Sequence, residues 1–112
     1  MSSELQVIDL QEGDGKAVVK GALITTQYRG TLADGSEFDS SWSRGKPFQC
    51  VIGTGRVIKG WDQGLMGMRV GGKRKLLVPA HLGYGERPVG SIPPNSDLTF
   101  EIELLEVLTR ED

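Results

Sequence analysis

The stretch Leu98-Thr99-Phe100-Glu101-Ile102-Glu103-Leu104 alternates apolar and polar residues without a break. Successive side chains on a strand point to opposite faces, so this pattern predicts a strand with one face in a core and the other in solvent. The fold must cover that apolar face, and most of the chain offers further strands to do so. Residues 21–31 run Leu-Ile-Thr-Thr-Gln-Tyr-Arg between Ala22 and Gly30, types that favour strands. Asp34-Gly35 follows as a hairpin signal ahead of Phe38. Residues 48–52 read as a short strand ended by Gly53-Thr54-Gly55, and residues 73–79 as another with Arg74, Leu76 and Val78 on one face. Leu5, Val7 and Ile8 mark a first strand before a turn at Glu12-Gly13-Asp14-Gly15. Sixteen glycines supply the bends such a fold needs.

One window has a different period. Val57, Trp61, Leu65 and Met68 recur at spacings of four, four and three, which predicts an amphipathic helix over 57–68. Gly60, Gly64 and Gly67 each weaken it by about 1 kcal/mol relative to Ala. Such a helix needs tertiary packing to form, and its glycines let a sheet approach closely. Gly71-Gly72 ends the segment. Residues 80–95 are loop-like, with Gly83, Gly85, Pro88, Gly90, Pro93 and Pro94. A loop of that length in a compact domain is commonly functional. No repeat or linker divides the 112 residues, so a single domain over 1–112 is expected. The elements sum to an α+β fold, a small antiparallel sheet wrapped on one short helix.

Several chemistries are disfavoured. Thirteen basic residues face fifteen acidic ones for a net charge of -2, which does not suit nucleic acid. Lys73-Arg74-Lys75 reads as a solvated strand; a nucleic-acid-binding β-domain built on it would show salt-dependent binding. Cys50 is the single cysteine, so no internal disulfide forms, which fits a reducing compartment. With His81, the single histidine, it could in principle form a nucleophile–base pair, but a lone Cys in an apolar strand is more often core. No ligand spacing for a metal exists, and no Gly-rich segment ends in the Gly-Lys-Ser/Thr of a phosphate loop. There is no apolar run of signal-peptide or membrane-span length, so a cytoplasmic location is expected, with no membrane, metal or cofactor. What remains is aromatic: Tyr28, Phe38, Trp42, Phe48, Trp61, Tyr84 and Phe100. By composition alone these read as core more readily than as a site.

Specific strings change that balance. They are Tyr28-Arg29-Gly30, Asp34-Gly35 with Phe38-Asp39-Ser40-Ser41, Lys46-Pro47-Phe48, and Val57-Ile58-Lys59-Gly60-Trp61-Asp62. Gly67-Met68 with Val70-Gly71, Leu82-Gly83-Tyr84-Gly85, Ile92-Pro93-Pro94-Asn95 and the final strand complete the set. In this order and spacing the chain resembles the FK506-binding protein family of peptidyl-prolyl isomerases, and looks most like a bacterial single-domain member. The resemblance implies an antiparallel half-barrel sheet around a short helix, with an apolar pocket between them. Trp61 would form the pocket floor. Tyr28, Phe38, Phe48, Val57, Ile58, Ile92 and Phe100 would form its walls. The Tyr84 hydroxyl and the Ile58 backbone N–H would offer hydrogen bonds, and Asp39 would lie beside the pocket with Arg44 as its ion-pair partner. Proline-containing peptides, unfolded polypeptides and the macrolides FK506 and rapamycin are the implied partners of a monomer. The chain departs from the family pattern at Arg56, where eukaryotic members commonly carry an acidic residue, at Trp42, and in a slightly shorter loop that leaves Val89 and Ser91 without clear counterparts. The competing reading is a binding module of the same fold without turnover; the full set of pocket aromatics favours the enzyme.

Overall fold

The strand predicted at 98–104 lies at the centre of the sheet. The computed structural model describes residues 4–110. It contains β1 (Gln6–Gln11), β2 (Leu23–Leu32), β3 (Glu37–Ser40), α1 (Ser41–Arg44), β4 (Phe48–Val51), α2 (Lys59–Gly64), β5 (Lys73–Val78), a 3₁₀ turn (Ala80–Leu82) and β6 (Leu98–Leu108). All pairings are antiparallel, in the order β1-β5-β6-β2-β3, with β4 also on β2. The sheet is open: β1 forms one edge, and β3 and β4 share the other.

β6 continues past its alternating stretch because of a bulge. Its pairing with β2 passes from Thr26↔Leu104 to Thr25↔Glu106, leaving Leu105 without a partner there. The extra residue resets the phase, so Val107 is buried while Leu105 and Glu106 are exposed. On the inner face Leu98, Phe100, Ile102 and Leu104 join Ile24 of β2 and Leu76 and Val78 of β5 in the core. Arg74 lies on that same face of β5 for a different reason. Its guanidinium donates to the carbonyls of Gly64 at 2.9 Å and Met66 at 3.1 Å, and to Asp9 Oδ1 at 2.7 Å. A cation satisfies the carbonyls left open after α2 and ties them to β1.

The helix is shorter than the periodicity predicts. α2 spans six residues rather than 57–68. Ile58 is extended at its start, Leu65 caps its end, and Gly67 then takes a left-handed φ of 78°. Trp61, Leu65 and Met68 are nevertheless buried together. The apolar spacing identifies which residues face the core, whereas three glycines make the last predicted turn too weak to stay helical. α1 has no apolar period to betray it. It is a single turn capped by Ser40, whose Oγ accepts from the Ser43 N–H at 3.3 Å, and closed by Gly45 at a φ of 68°.

The glycines of α2 set its depth. A Cβ on Gly60 would stand 2.6 Å from Val78 Cγ1, and one on Gly64 would stand 2.8 Å from Leu76 Cδ2. Gly60→Ala gains up to about 1 kcal/mol of helix propensity. It also drives a methyl into a rigid β-branched side chain, which costs about 1–3 kcal/mol. The clash is the larger effect. Gly60→Ala is therefore expected to lower stability in urea unfolding despite its better propensity, and a stabilised variant would contradict this packing.

Candidate active site

Between α2 and the sheet lies a cavity of about 80 Å³. That is several times the ~10–15 Å³ needed to hold one water. β2 supplies Tyr28, which points inward beside Gly30. A Cβ on Gly30 would stand 2.5 Å from the Phe38 ring, so this glycine makes the space that Phe38 of β3 occupies. β6 places Phe100 opposite Gly30, and β4 begins with Phe48. α2 presents Trp61, only 3% exposed, to Tyr28, Phe48 and Phe100.

The rings meet edge to face. Trp61 lies 5.1 Å from Tyr28, 5.6 Å from Phe100 and 5.8 Å from Phe48 between centroids, with interplanar angles of 84–90°. Phe38 meets Phe100 at 5.6 Å and 86°. Such pairs add about 0.5–1.5 kcal/mol each beyond their buried area and hold the rings in fixed orientation. Val57, Ile58, Tyr84 and Asp39 complete the lining. Of the residues that the sequence proposes for the walls, Ile92 is absent from this lining; it is buried in the core, where its N–H and C=O both bond Val89. Arg44 stands outside the cavity and reaches it through Asp39.

One side of the cavity carries a closed polar network. The Tyr28 hydroxyl donates to Asp39 Oδ2. Arg44 Nη1 donates to Asp39 Oδ1, as does the Ser40 N–H at 2.9 Å. Arg44 Nη2 reaches the Tyr28 oxygen at 3.1 Å, and its guanidinium stands 5.6 Å from the Tyr28 ring centroid. Both Asp39 oxygens are thus engaged. Burial, and then the hydrogen bond to Asp39, push the Tyr28 phenol above its ordinary range. Tyr84 is different. Among the described residues its hydroxyl has no protein hydrogen-bond partner, and neither does the Ile58 N–H. Burial, followed by the charge of Asp39, raises the Tyr84 phenol as well, while Arg87 opposes them.

Three side chains that the sequence does not single out as site residues position the others. The Asp62 carboxylate accepts the N–H groups of Gly53 at 2.7 Å and Gly55 at 2.9 Å, folding the segment that carries Val57 and Ile58 back onto α2. Ser41 is fully buried, and its Oγ accepts the Tyr28 N–H at 2.7 Å. It fills the gap between the pairings of β3 and β4 along β2, where that N–H has no strand partner. Asp97 Oδ1 accepts the Ala80 N–H at 3.0 Å and anchors the segment leading to Tyr84. The available signals are weak: backbone N–H groups of Gly53-x-Gly55 that need an acceptor, and a small hydroxyl next to a strand end.

Cys50 and His81 share no hydrogen bond; burial, and then the charge of Asp62, push the Cys50 thiol up to about 11, away from nucleophilic use. Among the described residues no group of three or more His, Cys, Asp or Glu side chains could hold a metal, and no helix is long and apolar enough to cross a membrane.

Comparison with known proteins decides the family. The family model for the FKBP-type peptidyl-prolyl cis-trans isomerase matches residues 14–105. The chain belongs to that family. An FK506-binding protein of Neisseria meningitidis is 54% identical over 104 residues, covering 92% of this chain and 95% of the relative. FK506-binding protein 1 of Debaryomyces hansenii is 56% identical over 104 residues, covering 91% of this chain and 93% of the relative. Among solved structures, AtFKBP13 superposes with a TM-score of 0.87 at 45% identity over 93% of each chain. FkpA from Escherichia coli gives 0.85 at 44% identity over 92% of this chain and 47% of its own. As an FKBP-type domain the chain is a peptidyl-prolyl cis-trans isomerase, with the open antiparallel sheet and short helix of its structural neighbours.

The raised phenols have a consequence for stability. A group whose folded pKa lies above its unfolded value stabilises the fold below the unfolded pKa and loses that contribution as pH rises through the folded one. For Tyr28 and Tyr84 that window opens at about pH 10. The urea midpoint is therefore expected to fall from about pH 9, first through the raised Cys50 thiol and above about pH 10 through these phenols as well, and to fall less above about pH 10 in the Tyr28→Phe/Tyr84→Phe variant. Identical pH profiles for the two proteins would show that these phenols are not shifted.

Proposed function

We propose that this isomerase turns the X–Pro bond inside the aromatic cavity, without an acid or base. Rotation about the amide faces a barrier of about 18–20 kcal/mol because resonance is lost, yet no covalent bond breaks. The twisted amide is less polar than the planar one. An apolar, partly dry cavity therefore disfavours the ground state relative to the transition state. A donor fixed at the carbonyl end would hold it while the other end turns. The unpartnered Tyr84 hydroxyl and Ile58 N–H suit that task. A thousandfold acceleration needs only about 4 kcal/mol, which desolvation and one or two oriented hydrogen bonds supply.

The observation that carries this reading is the lining itself. Trp61, Tyr28, Phe38, Phe48 and Phe100 enclose the cavity, and its single carboxylate, Asp39, is occupied by Tyr28 and Arg44. Asp39 then sets the field and orients Tyr28 rather than moving a proton. The same cavity is proposed to take the macrolides FK506 and rapamycin, as the names of the relatives suggest for FK506. We place the chain in the cytoplasm as a monomer that assists folding of proline-containing and unfolded polypeptides, consistent with a chain that can form no internal disulfide.

Prolyl isomerisation of a short peptide, with and without FK506, tests the reading. Acceleration abolished by FK506 is expected, and acceleration that ignores FK506 would separate the active site from this cavity. Tyr84→Phe should lower kcat/KM roughly three- to tenfold, the worth of one hydrogen bond.

Asp39→Ala should reduce activity only in part, because no proton is transferred. A fully inactive but folded Asp39→Ala protein, checked by circular dichroism, would make Asp39 a catalytic group after all.

A further inference from the structure

The wall formed by Val57, Ile58 and Tyr84 has a second side. These residues also line an open groove of about 550 Å³ between segment 55–59 and the turn and loop at 81–87. The groove's cations are Arg56, Lys59 and Arg87, with His81 beside them, and no carboxylate is in its lining. Glu86 adjoins Arg87 in the chain but is not part of that lining. Among the described residues none of the three cations has an ion-pair partner. Elsewhere among the described residues Arg29, Arg44, Lys73 and Arg74 each face a carboxylate, whereas Lys20, Lys46, Arg69 and Lys75 do not; what sets this groove apart is three such cations in one carboxylate-free lining. The whole chain carries a net charge of -2, so this concentration of unpaired positive charge is local. It is also coupled to the site, since the charge of Arg87 acts on the Tyr84 phenol.

We infer that this groove is a subsite for an acidic side chain: the enzyme prefers X–Pro substrates with Asp or Glu near the proline, and Arg56, Lys59 and Arg87 set that preference. The inference rests on the aromatic cavity being the site of isomerisation. An extended peptide advances about 3.3–3.6 Å per residue, so with proline in the cavity its near neighbours fall across the shared wall. A carboxylate there would meet three cations that have no ion-pair partner among the described residues. Each exposed pair is weak by itself, and the three together act on one charge.

The test uses the full chain and a peptide series with one X–Pro core, placing Glu, Ala or Lys at each of the two positions on either side of it. At low salt the best-placed Glu peptide should exceed its Lys counterpart in kcat/KM by about three- to tenfold, with Ala between. At about 1 M salt, where the screening length is ~3 Å, the three should converge. Arg56→Gln and Arg87→Gln should flatten the ranking, and Arg56→Glu and Arg87→Glu should invert it relative to the Ala peptide measured in the same variant. Equal kcat/KM for Glu, Ala and Lys peptides at every position would overturn the subsite while leaving the isomerase reading intact. A Glu preference untouched by the charge reversals would remove these residues from the role. Failure of the wild-type protein to accelerate even the Ala peptide would overturn the cavity as the site, and the subsite with it.

Discussion

The close approach of α2 to β5 is the constraint on which the rest of the structure depends. Without side chains at Gly60 and Gly64 the helix backbone settles against Val78 and Leu76, closer than any Cβ would allow. That depth puts Trp61 within ring contact of Tyr28, Phe48 and Phe100 at once. A helix held further out would leave a wider, wetter cleft, and the low polarity on which the proposed mechanism relies would be diluted by solvent. Two glycines in six residues make a poor helix in isolation. The packing they permit is what stabilises it.

Around that contact the chain uses polar side chains where strand pairing runs out. Ser41 bonds the Tyr28 N–H in the gap between β3 and β4. Asp62 collects two glycine N–H groups so that Val57 and Ile58 reach the cavity, and Arg74 closes the carbonyl end of α2. Each is a buried or part-buried group with its partners present, and no buried side-chain polar atom among the described residues lacks one. A buried polar group left unpaired costs about 1–3 kcal/mol, so these contacts fix the geometry as firmly as the apolar packing does.

Residues differ in how much of this their order along the chain reveals. β6 is legible because its alternation follows directly from the pleat, and it fails only at Leu105, where a bulge adds a residue that no period can signal. Trp61, Leu65 and Met68 are legible as core, but the end of α2 is not, because it depends on how closely β5 approaches. The aromatic cluster is visible as composition, and only the family motifs distinguish a pocket from a plain core. Ile92 belongs to a family motif too, and in the structure it is a buried core residue outside the cavity's immediate lining. Ser41, Asp62 and Asp97 act through backbone N–H groups distant in sequence, and no local pattern announces such partners.

An apolar cavity with a carboxylate on its rim raises a question of polarity. A bare Asp39 would draw water and stabilise the planar, more polar amide, opposing the rotation proposed for the cavity. Arg44 and Tyr28 change this. With one oxygen bound by a guanidinium and the other by a phenol, the charge is balanced and both lone-pair faces are taken. Arg44 and Asp39 side chains are 47% and 38% exposed, so the pair contributes little to stability, about 0–1 kcal/mol. Its effect lies in the direction of the field. The Tyr28 hydrogen is committed to Asp39, which leaves the Tyr84 hydroxyl across the cavity as the phenol free to donate. The network therefore separates a buried structural tyrosine, Tyr28, from the half-buried Tyr84 as the proposed donor, and it does so without placing an uncompensated charge against a substrate in the cavity.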